Sequence, residues 1–271
     1  MAKESVRDRV VLITGASSGI GAATARAFAA EGAKLFLCAR RLERLQEMEA
    51  ELRSLGASEI RCESLDVTDR EAVQHLLGRT EQAGASWLEI DVLVNNAGLS
   101  RGLGKLYQDD PTNWDEMLDT NVRGLLNVTR AVVPQMVERK RGHVVSLGST
   151  AGHQTYAGGT VYCASKAAER VISEGLKLDL MGTPVRVTTI DPGMVKTDFS
   201  MVRFGGDQAK ADKVYEDITP LEPEDVADAI LWAVTRPARV NIHSILLTTI
   251  DQANSTTLVR RDASAKSAQT K

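Results

Sequence analysis

Tyr162 and Lys166 stand four residues apart in the stretch Tyr-Cys-Ala-Ser-Lys. Residues with this spacing lie on one face of a helix, so the phenol and the ammonium can serve one site. A phenol ordinarily ionises near pH 10, and a fixed positive charge beside it favours the phenolate form. The pair therefore indicates general acid/base chemistry. Composition alone would produce such a pair in roughly one chain in six, so the surrounding sequence must decide its meaning.

A glycine-rich turn, Thr14-Gly-Ala-Ser-Ser-Gly-Ile-Gly21, separates a short apolar run from an alanine-rich stretch that reaches about Ala30. Strand, turn and helix in this order are typical of a nucleotide site, because a pyrophosphate can rest on the free N–H groups of the helix N-terminus. The spacing Gly-x-x-x-Gly-x-Gly differs from the common Gly-x-Gly-x-x-Gly fingerprint. The alternative is a flexible turn between a buried strand and a helix.

Arg40 and Arg41 follow the second apolar run, and no carboxylate occurs between that run and Glu43. Folds selective for NAD place an acidic residue at this point, where it binds the ribose 2′-hydroxyl. Two arginines can instead pair with a 2′-phosphate through charge-assisted hydrogen bonds. The sequence therefore predicts NADP(H). The alternative, two solvated arginines that begin a helix, is disfavoured because a helix N-terminus repels cations unless an anion joins them.

The elements that must position these residues are strands alternating with helices. The expected strands cover residues 10–14, 34–39, 59–65, 92–95, 143–147, 185–190 and 242–248, and several of them, such as 10–14 and 92–95, are apolar on both faces. This pattern predicts one α/β domain, a Rossmann-type doubly wound sheet of about seven parallel strands with helices on both faces. We expect a capping box at Thr68-x-x-Glu71, one long helix over residues 113–139, and a helix that carries Tyr162 and ends near Gly182.

Composition excludes several classes of protein. The chain of 271 residues is 43% hydrophobic with a formal charge of −3, and it has no basic run that would suggest nucleic acid or a membrane surface. Its three cysteines have no metal-ligand spacing, and we expect reduced thiols and no metal. The charged first eight residues and the lack of a long apolar window predict a cytoplasmic protein. We expect one domain over residues 1–260 and a polar, disordered tail over 261–271.

Six motifs stand in the order and approximate spacing of a known family. They are Thr14-Gly-Ala-Ser-Ser-Gly-Ile-Gly21, Asn95-Asn-Ala-Gly98, Asn121, Ser149, Tyr162-x-x-x-Lys166 and Pro192-Gly193. Over residues 8–250 the chain resembles the short-chain dehydrogenase/reductase family. A narrower resemblance, to the NADP-dependent 3-hydroxy acid (serine or allo-threonine) dehydrogenases, comes from Tyr156-Ala-Gly-Gly, Phe199-Ser-Met-Val-Arg-Phe204, Lys213-Val-Tyr215 and Arg239-Val-Asn-Ile-His243.

The resemblance implies a catalytic role for four residues. Tyr162 would be the acid/base, which gives a proton to a carbonyl oxygen or takes one from an alcohol. Lys166 would favour its ionisation and bind the nicotinamide ribose. Ser149 would hold the substrate oxygen, although a serine at a strand end often only caps a turn. Asn121 would position Lys166 through a water, with an exposed polar residue as the alternative.

The resemblance also implies the cofactor contacts. Asn95 would lie beside the ribose, and Asp66 would accept from the adenine amino group unless it merely opens a helix. Pro192, Gly193 and Thr197 would hold the nicotinamide carboxamide. The expected cofactor-binding set is Gly15, Ser17, Ser18, Gly19, Ile20, Gly21, Arg40, Arg41, Asp66, Val67, Asn95, Ala97, Gly98, Tyr162, Lys166, Pro192, Gly193, Val195 and Thr197. Many NADP-using relatives carry a basic residue where this chain has Ser18, so the cofactor prediction depends on the two arginines.

The function that follows is an NADP-dependent oxidoreductase acting on a small 3-hydroxy acid. We expect the polar stretch 196–217 to form a mobile lid, with Arg203 meeting the substrate carboxylate or, alternatively, only pinning the lid. Competing functions are a reductase of an uncharged ketone or aldehyde, a catalytically silent dinucleotide sensor, and a scaffold subunit. The resemblance implies a homotetramer packed through helices near 113–139 and 160–181. Residues 84–90 form a segment longer than in many relatives, with no assigned role.

Overall fold

A computed structural model describes residues 3–78, 87 and 89–261. The strands of this part of the chain are β1 (Val10–Thr14), β2 (Lys34–Ala39), β3 (Glu59–Ser64), β4 (Ile90–Asn95), β5 (His143–Leu147), β6 (Arg186–Pro192) and β7 (Ser244–Leu247). They pair in parallel in the order β3-β2-β1-β4-β5-β6-β7.

The helices stand between the strands. They are α1 (Gly19–Ala30), α2 (Leu42–Leu55), α3 (Arg70–Leu77), α4 (Pro111–Leu118), α5 (Leu125–Glu138), α6 (Thr160–Asp179), α7 (Phe199–Arg203), α8 (Gln208–Val214) and α9 (Pro223–Val234). A π-helical turn (Asp119–Gly124) joins α4 to α5, and a 3-10 turn (Thr150–Gly152) follows β5.

The central strands β1, β4 and β5 are buried on both faces, and their successive side chains point in opposite directions into two separate cores. In β1, Val11 and Ile13 belong to a core with residues of α1, α2 and α9, whereas Leu12 belongs to a second core with residues of α3 and α5. Strands that are apolar on both faces therefore receive helices on both faces. The predicted doubly wound α/β fold of seven parallel strands is confirmed.

The strand order reverses beside β1. The chain moves outward from β1 through β2 to β3, then returns to place β4 on the other side of β1. The connections that leave β1 and β4 consequently run to helices on opposite faces of the sheet, and a crevice forms outside the carboxyl ends of these strands. Sheets of this kind bind their ligands at such a switch point.

Several local predictions need correction. The single helix expected over residues 113–139 is α4, the π-helical turn and α5, because the backbone widens around Asn121. The polar stretch 196–217 contains α7 and α8, and its role as a mobile lid stays a prediction. Asp69, and not Thr68, caps α3: its carboxylate accepts from the Ala72 N–H at 2.9 Å, while Thr68 donates to Asp66.

Most of the segment 84–90 and residues 262–271 of the predicted tail lie outside the described residues. Within the described ranges no helix is long and apolar enough to cross a membrane. The same residues contain no group of three His, Cys, Asp or Glu side chains arranged to hold a metal ion.

Candidate active site

The glycine turn after β1 forms one wall of a cleft of about 550 Å³. Gly15 and Gly19 have φ values of +64° and +52°, a region that glycine adopts without strain. A Cβ on Gly15 would meet the Ala97 Cα at 2.9 Å, so the turn packs directly against the loop after β4. Ser18 precedes α1 without a side-chain capping bond, which leaves the helix N–H groups available to an anion.

Asn96 fixes this turn, a role that the sequence did not reveal. Its Nδ2 donates to the carbonyls of Thr14 at 2.9 Å and Gly15 at 3.1 Å. The Thr14 Oγ1 in turn accepts from the N–H groups of Asn96 and Ala97. The neighbouring Asn95 donates instead to the Thr129 Oγ1 on α5 at 3.0 Å. Strand alternation thus sends Asn96 to the turn and Asn95 away from it.

Three of the expected residues, Gly21, Asn95 and Asn121, lie outside the lining of the cleft that the described residues form. Gly21 supports the turn from behind, since a Cβ there would meet the Gly15 carbonyl oxygen at 2.4 Å. The other expected residues all line the cleft: Gly15, Ser17, Ser18, Gly19, Ile20, Arg40, Arg41, Asp66, Val67, Ala97, Gly98, Ser149, Tyr162, Lys166, Pro192, Gly193, Val195, Thr197 and Arg203.

Arg40 and Arg41 stand exposed at the end of β2 and the start of α2. Among the described residues neither guanidinium has an acidic partner within salt-bridge distance, so both are available to an anion in the cleft. Asp66 lines the cleft nearby, and its Oδ1 accepts from the Thr68 N–H and hydroxyl at 2.9 and 2.8 Å. The alternative role of Asp66 in opening a turn is therefore present, and its adenine contact stays a prediction.

Tyr162 lies at the other end of the cleft on the first turn of α6 and is 8% exposed. Its ring packs against Phe199, with ring centroids 5.6 Å apart. The Arg203 Cζ lies 5.1 Å from the centre of the Tyr162 ring, a cation–π distance. Ser149 caps the 3-10 turn by accepting from the Ala151 N–H at 3.1 Å, and its hydroxyl donates to the Pro192 carbonyl at 3.5 Å.

Lys166 is buried one turn further along α6. Its ammonium donates to the Leu147 carbonyl and to the Glu169 Oε1, both at 2.8 Å. An ammonium has three N–H groups, so one remains for the cleft. Burial alone would lower the pKa of Lys166, but the attraction of Glu169 and Tyr162 outweighs burial and raises this pKa. Lys166 is therefore a fixed positive charge beside the phenol.

Asn121 lies in the π-helical turn and binds the loop that follows β4. Its amide accepts from the Leu99 N–H and donates to the Leu99 carbonyl and the Ser165 hydroxyl, each at 2.9 Å. A Cβ on Gly98 would lie 3.3 Å from the Asn121 Oδ1 and 3.4 Å from the Lys166 Nζ. Asn121 therefore positions the loop after β4 against the lysine, and π-helical turns often occur at such functional sites.

Arg203 is bound at the cleft by two side chains. Its Nε donates to the Ser100 Oγ and its Nη2 to the Tyr156 Oη, both at 3.0 Å. Burial raises the pKa of Tyr156 to about 12 despite the opposing effect of Arg203, so this phenol is a neutral acceptor. The Arg203 carbonyl also accepts from the Gly102 N–H at 2.9 Å. These bonds fix α7 over Tyr162.

The C-terminal segment 251–261 completes the cleft, beyond the residues 8–250 that carry the resemblance. Gln252 accepts from the Met194 N–H at 2.9 Å, and Arg260 donates to the Glu216 carbonyl behind α8. The Arg261 N–H donates to the Asp217 carbonyl at 2.7 Å. Gln252, Ser255, Leu258 and Arg260 line the cleft. Polar residues after the last strand gave no sequence signal for this position.

The geometry fits a dinucleotide. A glycine-rich turn meets the N-terminus of α1, two arginines with no acidic partner among the described residues lie at one end, and a phenol with a buried ammonium lies at the other. The cleft thus joins an anion-binding end to an acid/base end. That arrangement can hold a phosphate-bearing cofactor while a proton moves at its far end.

Comparison with known proteins gives concordant results. Residues 9–206 match the sequence model of the short chain dehydrogenase family. NADP-dependent 3-hydroxy acid dehydrogenase YdfG of Salmonella typhi is 46% identical over 245 residues, which cover 90% of this chain and 96% of that protein. Sulfoacetaldehyde reductase 2 of Chromohalobacter salexigens is 44% identical over 256 residues, 93% of this chain and 99% of that protein. The closed form of a serine dehydrogenase complexed with NADP+ superposes with a TM-score of 0.85 at 45% identity, over 93% of this chain and 99% of that one.

Proposed function

The chain belongs to the short chain dehydrogenase family, and on that premise we propose that it interconverts a small 3-hydroxy acid and its carbonyl form with NADP(H). The substrate is of the serine, allo-threonine, 3-hydroxypropionate or 3-hydroxyisobutyrate type. The observation that carries this proposal is the guanidinium of Arg203, 5.1 Å from the ring centre of Tyr162. A cation held beside the acid/base residue selects an anionic substrate.

NADP(H) supplies the hydride chemistry when it is bound. The turn at Gly15 and Gly19 and the N-terminus of α1 would hold its pyrophosphate. Arg40 and Arg41 would bind the 2′-phosphate, which two unpaired guanidinium groups can neutralise. Asp66 and Val67 would line the adenine end.

Tyr162 would donate the proton during carbonyl reduction and accept it during alcohol oxidation. Lys166 would stabilise the developing phenolate by its positive charge, and its remaining N–H is available to the cofactor ribose. The Ser149 hydroxyl would bind the substrate oxygen as charge develops there. Asn121 is a positioning residue that holds Leu99 and Ser165 around this pair.

Arg203 retains N–H groups for a substrate carboxylate. A guanidinium has five N–H donors, and Ser100 and Tyr156 each take one. The outer edge formed by Nη1 and Nη2 can still present one N–H from each nitrogen, the geometry that a carboxylate accepts in two parallel bonds. Leu99, Leu103 and Phe199 line the cleft nearby, so the chain of the substrate must be short and partly apolar.

The lid over residues 196–217 would close the site around the substrate, within a domain that spans residues 1–260. We also assign the protein to the cytoplasm and to a homotetramer. Leu126 on α5 and Val171 and Leu178 on α6 are exposed, and such apolar positions on two long helices suit burial between copies.

A turnover panel with NADP+ tests the function. It compares serine, allo-threonine, 3-hydroxypropionate and 3-hydroxyisobutyrate with simple secondary alcohols, and it includes the reverse reaction with sulfoacetaldehyde, the small anion in the name of one relative. We expect the hydroxy acids to give a larger kcat/KM than uncharged alcohols of the same length. Preference for the uncharged substrates would favour the alternative, a reductase of an uncharged ketone or aldehyde. Binding of NADPH without turnover of any substrate would favour a dinucleotide sensor.

A further inference from the structure

A second acidic group lies directly behind the proposed acid/base pair. Glu169 is three residues after Lys166 on α6 and is 2% exposed. Its Oε1 accepts from the Lys166 ammonium at 2.8 Å. The bond to the Leu147 carbonyl holds the same ammonium from the end of β5. Glu169 thus contacts the Lys166 ammonium from the interior of the protein, and it does not line the cleft that the described residues form.

The charged and titratable groups that interact with this pair, or with one of its direct neighbours, lie on α6, on β6, after the 3-10 turn and on α7. They are Lys166 and Tyr162 on α6, Asp191 on β6, His153 after the 3-10 turn and Arg203 on α7. Asp191 is 1% exposed at its side chain, and its Oδ2 lies 3.1 Å from the His153 Nε2. Asp191 therefore has its own partner, whereas Glu169 has only Lys166 as a cationic partner among the described residues.

A carboxylate in contact with an ammonium cancels part of its positive charge at a third group. A positive Lys166 would favour the phenolate of Tyr162, and a negative Glu169 would weaken that effect. We propose that Glu169 is a positioning residue that holds the Lys166 ammonium and whose charge sets the pH at which Tyr162 becomes an active base. This inference rests on the proposed role of Tyr162 and Lys166, and not on the identity of the substrate.

The burial of Glu169 shifts its ionisation toward neutral pH. Burial raises the pKa of Glu169 to about 7, against the opposing effect of Lys166. The carboxylate is then charged at the alkaline pH at which a phenol becomes a base. Tyr162 and Glu169 are seven residues apart on α6, roughly 10 Å along a helix. At an effective dielectric constant of about 20, a unit charge at this distance shifts an ionisation by roughly one pH unit before screening.

The first test compares the parent enzyme with Glu169→Gln, which keeps the shape and removes the charge. The measurement is kcat/KM for oxidation with NADP+ as a function of pH. We expect the midpoint of the rising limb to move down by roughly half to one pH unit. Glu174→Gln is the matched control, since Glu174 lies on α6 in a surface pair with Arg170, and its midpoint should match that of the parent. Glu169→Asp should restore most of the parent midpoint.

A Glu169→Gln midpoint equal to or above that of the parent would overturn the inference, whatever happens to the plateau rate. A merely structural role would lower activity or stability and leave the midpoint in place. The test also uses phenolate absorbance of the NADP+-bound enzyme, with Tyr162→Phe as the reference, and this readout requires no turnover. A shifted phenolate titration in an enzyme that ignores every 3-hydroxy acid would refute the proposed substrate class alone.

A measurement on the parent covers the case in which Glu169→Gln does not fold. Infrared spectra of protein labelled with ¹³C-glutamate report protonated glutamic acid by its C=O band. The inference requires this band to disappear as pH rises through about 7. A glutamic acid band that persists above about pH 9, where exposed carboxyls are ionised, would overturn it.

Discussion

Replacement of Arg203 by leucine separates substrate recognition from support of the lid. The side chain donates to Ser100 and Tyr156 at 3.0 Å each and lies 5.1 Å from the ring centres of Tyr162 and Phe199. All of these contacts are lost with any substrate. The contact with a substrate carboxylate is lost only with an anionic substrate. The two kinds of loss are therefore distinguishable by comparing substrates.

The magnitude follows from the two N–H groups that the outer edge of Arg203 can offer. Each hydrogen bond to a charged group contributes about 1.5–3 kcal/mol, or roughly ten- to hundredfold in affinity. We expect Arg203→Leu to lower kcat/KM for serine by roughly a hundredfold or more. The lid contacts are hydrogen bonds from the same guanidinium to two hydroxyls, and their loss should lower kcat/KM for both substrates to the same extent.

The assay measures kcat/KM with NADP+ for serine and for an uncharged alcohol of similar length. Arg101→Leu is the matched control, because Arg101 also pins α7, donating to the Val202 carbonyl at 2.8 Å and to Glu116 at 2.5 Å, but does not line the described cleft. Arg101→Leu should reduce both substrates to the same extent. Equal losses on both substrates for Arg203→Leu would refute carboxylate recognition and leave Arg203 as a lid contact.

Three further predictions concern the rest of the site. Tyr162→Phe should lower turnover by roughly 10²- to 10⁴-fold while NADPH binding persists, because it removes only the titrating oxygen; steady-state rates within twofold of the parent would remove Tyr162 from the mechanism. Arg40→Asp should weaken the binding of NADPH by roughly ten- to hundredfold and leave the binding of NADH unchanged. Fluorescence titrations in which the parent enzyme binds NADPH and NADH equally well would contradict this. The raised pKa of Glu169 means that the folded protein keeps a proton that the unfolded chain releases near pH 4.5. Denaturant titrations should therefore show that the free energy of unfolding of the parent falls by up to roughly 3 kcal/mol relative to that of Glu169→Gln as pH rises from about 4.5 to 7. The same pH dependence of this free energy in both proteins would exclude this ionisation.

Much of the fold follows from local sequence. The apolar runs of β1, β2 and β5 are bounded by turns and polar residues, and each is followed by a helical stretch. Parallel strands with right-handed crossovers leave few alternatives to a doubly wound sheet. The glycine turn and the two arginines after β2 are also local features, because their chemistry depends on residues adjacent in the chain. These local features are sufficient to predict the fold and the cleft.

Local patterns were weaker where the backbone departs from regular geometry. The π-helical turn around Asn121 and the short helices α7 and α8 have no apolar period of their own, and the turn depends on tertiary contacts such as the bond from Asn121 to Leu99. Asn95 and Asn96 are adjacent and chemically identical. Only the orientation of β4 decides which of the two meets the glycine turn.

The burial of Glu169 could not be predicted from the sequence. Its spacing from Lys166 is compatible with a surface ion pair on a helix, and the sequence contains many such pairs. Whether that face of α6 meets water or the sheet depends on how α6 docks over β5 and β6. Arg203 and Tyr156 are 47 residues apart, and Arg203 and Ser100 are 103 apart. The sequence alone determined the parts that act through neighbouring residues, whereas these partnerships were decided by the tertiary structure, because burial and contact between distant segments arise only when the sheet and its helices pack together.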